Sequence, residues 1–168
     1  SIHARHTVGL VDPLTDADIL AGKRVGDGLP ETLEEVIDAY GHSYFKLKVG
    51  GDLTADLDRL MAIARVIDSR CDSYRVTLDG NEQYGDVEGI VELWEAMELD
   101  QRLAKLQSSV LFVEQPIARG RALDLDVTPL ASRRPVIVDE SDSAYDVFVK
   151  AKALGYQGIS SKTCKGVY

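Results

Sequence analysis

The chain predicts an α/β fold, a partial TIM-type (β/α)8 barrel of about six β/α units. Two observations carry that prediction. Short, continuously apolar runs alternate with stretches of helical period along most of the length, and Lys, Asp, Glu, Asp and Lys stand in turn at the ends of five successive runs. Unbroken apolar strands separated by helices form a parallel sheet covered on both faces. In a parallel barrel the C-terminal strand ends share one rim, and active sites form there.

Thr7–Val11 is short, apolar and partly β-branched, the weakest of six strand candidates. Leu33, Val36, Ile37 and Tyr40 give Glu31–Tyr40 helical spacing. Tyr44–Val49 reads as the second strand, closed by Gly50 and Gly51. A helix from Leu53 lines up Leu57, Leu60, Ile63, Ala64 and Ile67, with Thr54 as its expected cap. Tyr74–Leu78 is the third strand, and one long helix then carries Ile90, Val91, Leu93, Trp94, Met97 and Leu103. Val110–Val113 is the fourth strand, stopped by Pro116, and Pro135–Val138 is the fifth. Ser143–Leu154 is helical with Gly155 at its C-cap, and Gly158–Ser161 is the sixth strand. The polar, unpatterned stretches are Asp12–Pro30 and Ala118–Asp126. The expected organisation is one partial barrel domain over 1–168, with strand one and a loop-rich segment in about 1–30 and the motif-bearing units in 31–168.

With 168 residues, 45% hydrophobic and 28% charged, the chain has the make-up of one globular domain. A net charge of −9 excludes nucleic acid and anionic membrane as expected partners, since both select a basic face. No apolar run approaches the roughly 18–20 residues of a membrane helix, and no signal-peptide pattern opens the chain. Cys71 and Cys164 make no disulfide framework, so a reducing, cytoplasmic compartment is the expectation. Ser1 in place of Met is expected of a trimmed, excised or processed chain.

The chemistry is expected where the strands end. Strand two ends in Lys46-Leu47-Lys48, strand three runs into Asp79-Gly80-Asn81, and strand four ends Glu114-Gln115-Pro116. Strand five ends Asp139-Glu140-Ser141, and strand six ends Ser161-Lys162. One charged strand end is commonly just solvated. Five in succession are different, because neighbouring strands lie about 4.8 Å apart and three acids on consecutive strands converge. Carboxylates that close repel one another unless a cation neutralises them. Oxygen ligands without His or Cys suit Mg²⁺, with Mn²⁺ as a substitute. Lys48 after strand two and Lys162 after strand six fall on opposite sides of an eight-stranded barrel. A substrate between them would meet one lysine on each face. Each lysine must be neutral to act as a base, and a nearby metal and second ammonium would lower its pKa.

These five motifs, in this order from Tyr44 to Gly166, resemble the enolase superfamily in its mandelate racemase/muconate-lactonizing-enzyme subgroup. The resemblance implies that Asp79, Glu114 and Asp139 bind Mg²⁺ and that Lys48 and Lys162 are the acid/base pair. It implies that Lys46 supports Lys48 and the substrate carboxylate, and that Asn81 and Glu140 stand behind the ligands. The implied reaction removes the proton α to a carboxylate, giving an enediolate, and leads to racemisation or epimerisation, cycloisomerisation or β-elimination. Isomerase or lyase activity on a small carboxylate is therefore expected. Departures from the family pattern are the absent capping domain, the absent seventh and eighth units, and a long Asp79–Glu114 spacing that implies an enlarged third helix. Thr163-Cys164-Lys165-Gly166 also stands where the family often has a Gly-Gly pair.

A Schiff-base aldolase using Lys162 is the competing enzyme class, although its chemistry has no use for three acids. The competing non-enzyme reading is an inactive fragment of the enolase-type enzyme. Exposed barrel edges lead us to expect self-association, or pairing with the missing parts of the barrel. His3-x-x-His6 lacks the further ligands a zinc site needs. Cys164 is expected to be a small buried thiol, and Tyr84, Trp94 and Tyr145 to be packing aromatics. Glu31, Glu34 and Glu35 read as a solvated acidic first turn.

Overall fold

The computed structural model describes residues 2–165. Ser1 and residues 166–168, including the Gly166 that closes the matched stretch, lie outside it. Six strands form one sheet in the order β1-β2-β3-β4-β5-β6, every neighbouring pair parallel. The strands are β1 (His6–Val8), β2 (Tyr44–Lys48), β3 (Arg75–Asp79), β4 (Val110–Glu114), β5 (Val136–Val138) and β6 (Gly158–Ile159). Sequential order with helices between consecutive strands is the winding a (β/α) barrel requires. The helices are α1 (Leu33–Tyr40), α2 (Leu53–Arg70), α3 (Val87–Leu99), α4 (Ala104–Ser109), α5 (Arg119–Ala122), α6 (Thr128–Ala131) and α7 (Val147–Ala153).

Period-two alternation decides what each strand sends where. Phe45 and Leu47 are completely buried in one hydrophobic core with Val76, Leu78, Val113, Val136 and Val138. Leu60, Ile63 and Ile67 of α2 and Ile90, Leu93, Trp94 and Met97 of α3 belong to that core. Each such side chain contributes roughly 1.5–3 kcal/mol on burial. Lys46 and Lys48 alternate with Phe45 and Leu47, so they take the opposite, inner face of the sheet.

Several elements depart from expectation for local reasons. β1 stops at Val8, because Asp12 accepts a 2.6 Å hydrogen bond from the Gly9 amide and turns the chain, leaving Val11 exposed. The cap of α2 is Asp52, which accepts from the Ala55 amide at 2.9 Å, not Thr54. The expected long third helix is broken: Asp100 ends α3 and caps a short 3-10 turn, Gln101–Leu103, before α4. α5 and α6 fall in and beside the stretch read as unpatterned, and each spans a single turn, too short for periodicity to register. The helix predicted over Ser143–Leu154 shortens to α7, and β6 ends two residues earlier than predicted.

Candidate functional site

Backbone register places the acids. Lys48 pairs with Asp79, and Asp79 with Glu114, so three chemically active residues stand level on adjacent strands. Asp139 immediately follows β5 and Lys162 follows β6. The segments after β3 and β4 stay zipped beyond the strands: the Gly80 amide donates to the Glu114 carbonyl at 2.9 Å, and the Tyr84 amide to the Pro116 carbonyl at 3.0 Å. That approach explains the glycine between Asp79 and Asn81. A Cβ on Gly80 would stand 2.6 Å from Pro116 Cα, closer than any side chain tolerates.

All three expected metal-binding acids are buried, Asp79 completely. Lys46 Nζ lies between two of them, 2.5 Å from Asp79 Oδ2 and 2.9 Å from Glu114 Oε2. Lys48 Nζ donates to the same Asp79 oxygen at 2.7 Å and also to Asn81 Oδ1. Lys162 Nζ pairs with Asp139 Oδ2 on the far side. Asn81 Nδ2 donates to Glu140 Oε1 at 3.0 Å, and the Asn81 amide donates to Asp79 Oδ1 at 2.9 Å. Every sequence-predicted residue therefore reaches one rim. Among the described residues, however, no three acidic, His or Cys side chains close around a common point. Ammonium groups stand against the carboxylates and supply the neutralising charge.

The electrostatics follow from these pairs. Burial pulls the Lys46 ammonium down, but Asp79 and Glu114 outweigh it and hold its pKa above the ordinary lysine value. Lys162 is likewise held up, chiefly by its hydrogen bond to Asp139. The sequence led us to expect a lowered lysine pKa. The charge nearest Lys162 is the Asp139 carboxylate, and it sets the upward direction. Burial pushes Asp139 up, but Lys162, Lys165 and Glu114 overcome that and carry it below the usual carboxylate range.

Three participants were not assigned roles from the sequence. Arg5 donates to Thr77 Oγ1 at 3.0 Å and comes within 4.0 Å of Glu114 Oε2. Lys165 donates to the carbonyls of Asp139 at 2.7 Å and Ser160 at 2.9 Å. Gln115, fully buried, spends its amide on neighbouring strand ends. Its Oε1 accepts from the Asp139 and Ser141 amides, at 2.8 and 3.1 Å, and its Nε2 donates to Ile117 O and Ser141 Oγ, at 2.8 and 2.7 Å. Most of these contacts join residues far apart along the chain and leave no local pattern.

The residues set aside from the sequence fall mostly as expected. His3 stacks on Tyr44 and His6 on His42. Tyr84 is buried with its hydroxyl donating to Asp56 at 2.9 Å, and Trp94 Nε1 donates to Glu98 at 2.8 Å. Tyr145 is exposed, not buried. Cys164 is exposed too, not a buried thiol, because it falls in the 3-10 turn Thr163–Lys165 at the rim.

A cation fits the donor set. Both Glu114 carboxylate oxygens, Asp139 Oδ1 and Glu140 Oε2 are buried without a hydrogen-bond partner. Lys46 and Lys165 come within 2.9 and 3.1 Å of the Glu114 and Asp139 oxygens, but as charge contacts not aligned for hydrogen bonding. Buried carboxylate oxygens left with spare acceptor capacity, contacted by Lys and Arg but by no His or Cys, suit a hard divalent ion.

A family profile described as enolase C-terminal domain-like matches residues 28–165. The chain is 29% identical over 160 residues to the L-Lys-D/L-Arg epimerase of Methylococcus capsulatus, covering 93% of this chain and 41% of that enzyme. Among solved structures it is similar to a muconate lactonizing enzyme from Mycobacterium smegmatis, with TM-score 0.64, 21% identity and coverage of 98% of this chain and 40% of that one. The Pseudomonas putida muconate lactonizing enzyme gives TM-score 0.58 at 22% identity, over 77% of this chain and 34% of that one. A Bradyrhizobium enolase complexed with magnesium and mandelic acid gives 0.57 at 21%, over 92% and 36%. These structural likenesses show the fold: six consecutive units of a TIM-type barrel.

Proposed function

This chain belongs to the enolase C-terminal domain-like family, and from that premise we propose that its rim removes a proton α to the carboxylate of a small substrate. The observation that carries the reading is the level alignment of Lys48, Asp79 and Glu114 on adjacent strands, with Asp139 and Lys162 completing the same rim. Proton abstraction beside a carboxylate leaves an enediolate, whose added negative charge needs preorganised positive charge. Mg²⁺, with Mn²⁺ as its substitute, would be held by Asp79, Glu114 and Asp139 and would supply that charge.

The chain's own residues divide the remaining work. Lys48 and Lys162 flank the acids and exchange a proton with the substrate carbon, one on each face. As it stands Lys162 is an ammonium, held so by Asp139, which suits the donor half of the exchange. Lys46, wedged between Asp79 and Glu114, is a fixed positive charge toward which a substrate carboxylate is drawn. Asn81 aims Lys48 and ties it to Glu140. Similarity to an epimerase favours inversion at the α-carbon among the reactions this step can begin. A Schiff-base role for Lys162 requires a neutral amine, and its ion pair with Asp139 works against that. Because the chain spans only 41% of the epimerase it matches, the activity proposed is that of the longer protein.

Calorimetric titration with Mg²⁺ tests the acids. We expect one site in the chain, abolished by Glu114→Gln. Binding unaffected by that substitution would remove the assignment.

A further inference from the structure

We infer that Gln115 is the positioning residue that fixes the three acids relative to one another. The inference deepens the cation-site reading and rests on it. Every polar group of Gln115 is engaged at the rim. Its backbone amide donates to Ile137 O on β5 at 2.9 Å, and its carbonyl accepts from the Glu82 amide in the loop after Asp79 at 3.0 Å. Its side-chain oxygen accepts from the amides of Asp139 and Ser141, while its side-chain nitrogen donates to Ile117 O and Ser141 Oγ. One residue, adjacent to Glu114 in the chain, thus holds the loop that follows Asp79 and the backbone of Asp139 itself.

The backbone is consistent with this role. Gln115 has φ +35°, in the left-handed region that a non-glycine residue occupies only when its surroundings over-determine it. Asn81 and Glu82, at φ +39° and +68°, sit in the partner loop. The strain is concentrated where the acid-bearing strand ends are tied together. Hydrogen bonds of this kind orient ligands without touching the ion, and losing one typically weakens metal binding about 10–100-fold.

Gln115→Met keeps volume and chain length while removing both polar atoms. Two measurements on the full chain separate positioning from bulk stability. In the metal-free protein, hydrogen exchange at the Asp139 and Ser141 amides should accelerate while the β2–β3 ladder stays protected. Mg²⁺ affinity should fall about tenfold or more, whereas Leu106→Ala, a core truncation in the helix that enters β4, should lower the melting temperature and leave affinity unchanged. Should Gln115→Met not fold, Ser141→Ala removes one of the four side-chain bonds and should weaken Mg²⁺ in the same direction by a smaller factor. Wild-type affinity in folded Gln115→Met, or in Ser141→Ala where that variant must serve, overturns the inference and leaves the cation site standing. Absence of Mg²⁺ binding by the wild-type chain is a different result: it removes the cation site, and the inference with it.

Discussion

The three inner-face lysines differ in ways that assign their work. Lys46 is the least accessible, its side chain 12% exposed and in ion-pair contact with two buried acids, so it stays charged and stays put. Lys48 and Lys162 are 24% and 44% exposed and each pairs with a single acid, Asp79 and Asp139. A proton shuttle needs access to substrate, and the outer pair has more of it than Lys46. In a longer chain acting on an identified substrate, Lys48→Ala and Lys162→Ala should each stop turnover. If the reaction is an epimerisation, each variant should still exchange the α-proton of one stereoisomer with deuterated solvent, and the two should differ in which. For a syn elimination or cycloisomerisation one lysine suffices as base and the other acts as a cation beside the enediolate. Exchange of both stereoisomers at wild-type rate in the double variant would end the mechanism. Sequence exposed these residues because a charged side chain terminating an apolar strand stands out against its neighbours. Arg5, Gln115 and Lys165 did not stand out, since each acts through partners that folding brings close from elsewhere in the chain.

At the level of elements, β1 is a short edge strand of the sheet. It has three residues and one neighbouring strand, and it was also the strand whose sequence signal was weakest. The central strands were legible because short runs such as Val110–Val113 and Val136–Val138 carry no polar residue. The breaks were not: where α3 ends depends on Asp100 capping the next turn, a choice between helical continuation and capping that periodicity does not register. β1 also carries a titratable group against its partner. Burial of His6 and repulsion from His42, partly offset by Asp12, set its pKa below the ordinary histidine value. A histidine with a folded pKa lower than its unfolded one favours folding in the neutral form. That contribution is complete above about pH 6.5 and is lost as pH falls through that value toward the folded pKa. Hydrogen exchange of the β1 amides, corrected for intrinsic rate, should therefore show more frequent opening at about pH 5.5 than at about pH 7. His6→Gln should flatten the difference. An unchanged pH dependence in that variant would place the sensitivity elsewhere.

As a whole, the described residues form a parallel sheet in which the strand at each margin pairs with one neighbour, and whose inner face is incompletely filled. A hollow of about 420 Å³ opens on that face, lined by Arg5, Tyr44, Thr77 and Phe112 among others. Near the β6 margin Ile159 is 42% exposed, with Phe148 and Val149 of α7 at 39% and 72%. Free strand edges beside apolar surface favour pairing with another chain, although strands as short as β1 and β6 blunt the tendency. Against pairing stands the net charge of −9, which makes copies repel one another at long range. The two forces respond oppositely to salt. Raising ionic strength to about 0.15 M shortens the screening length to about 8 Å and removes most of the repulsion, while apolar contact is hardly weakened. The isolated chain should therefore self-associate in sedimentation velocity as concentration rises, and more strongly with added salt. Ile159→Lys together with Val149→Lys should reduce the association, because both place charge on the margin that pairs. Association that weakens as salt is added would point to charged contacts in place of the apolar margin. A monomer at every concentration and ionic strength would mean that both margins are protected by the chain's own short strands and loops.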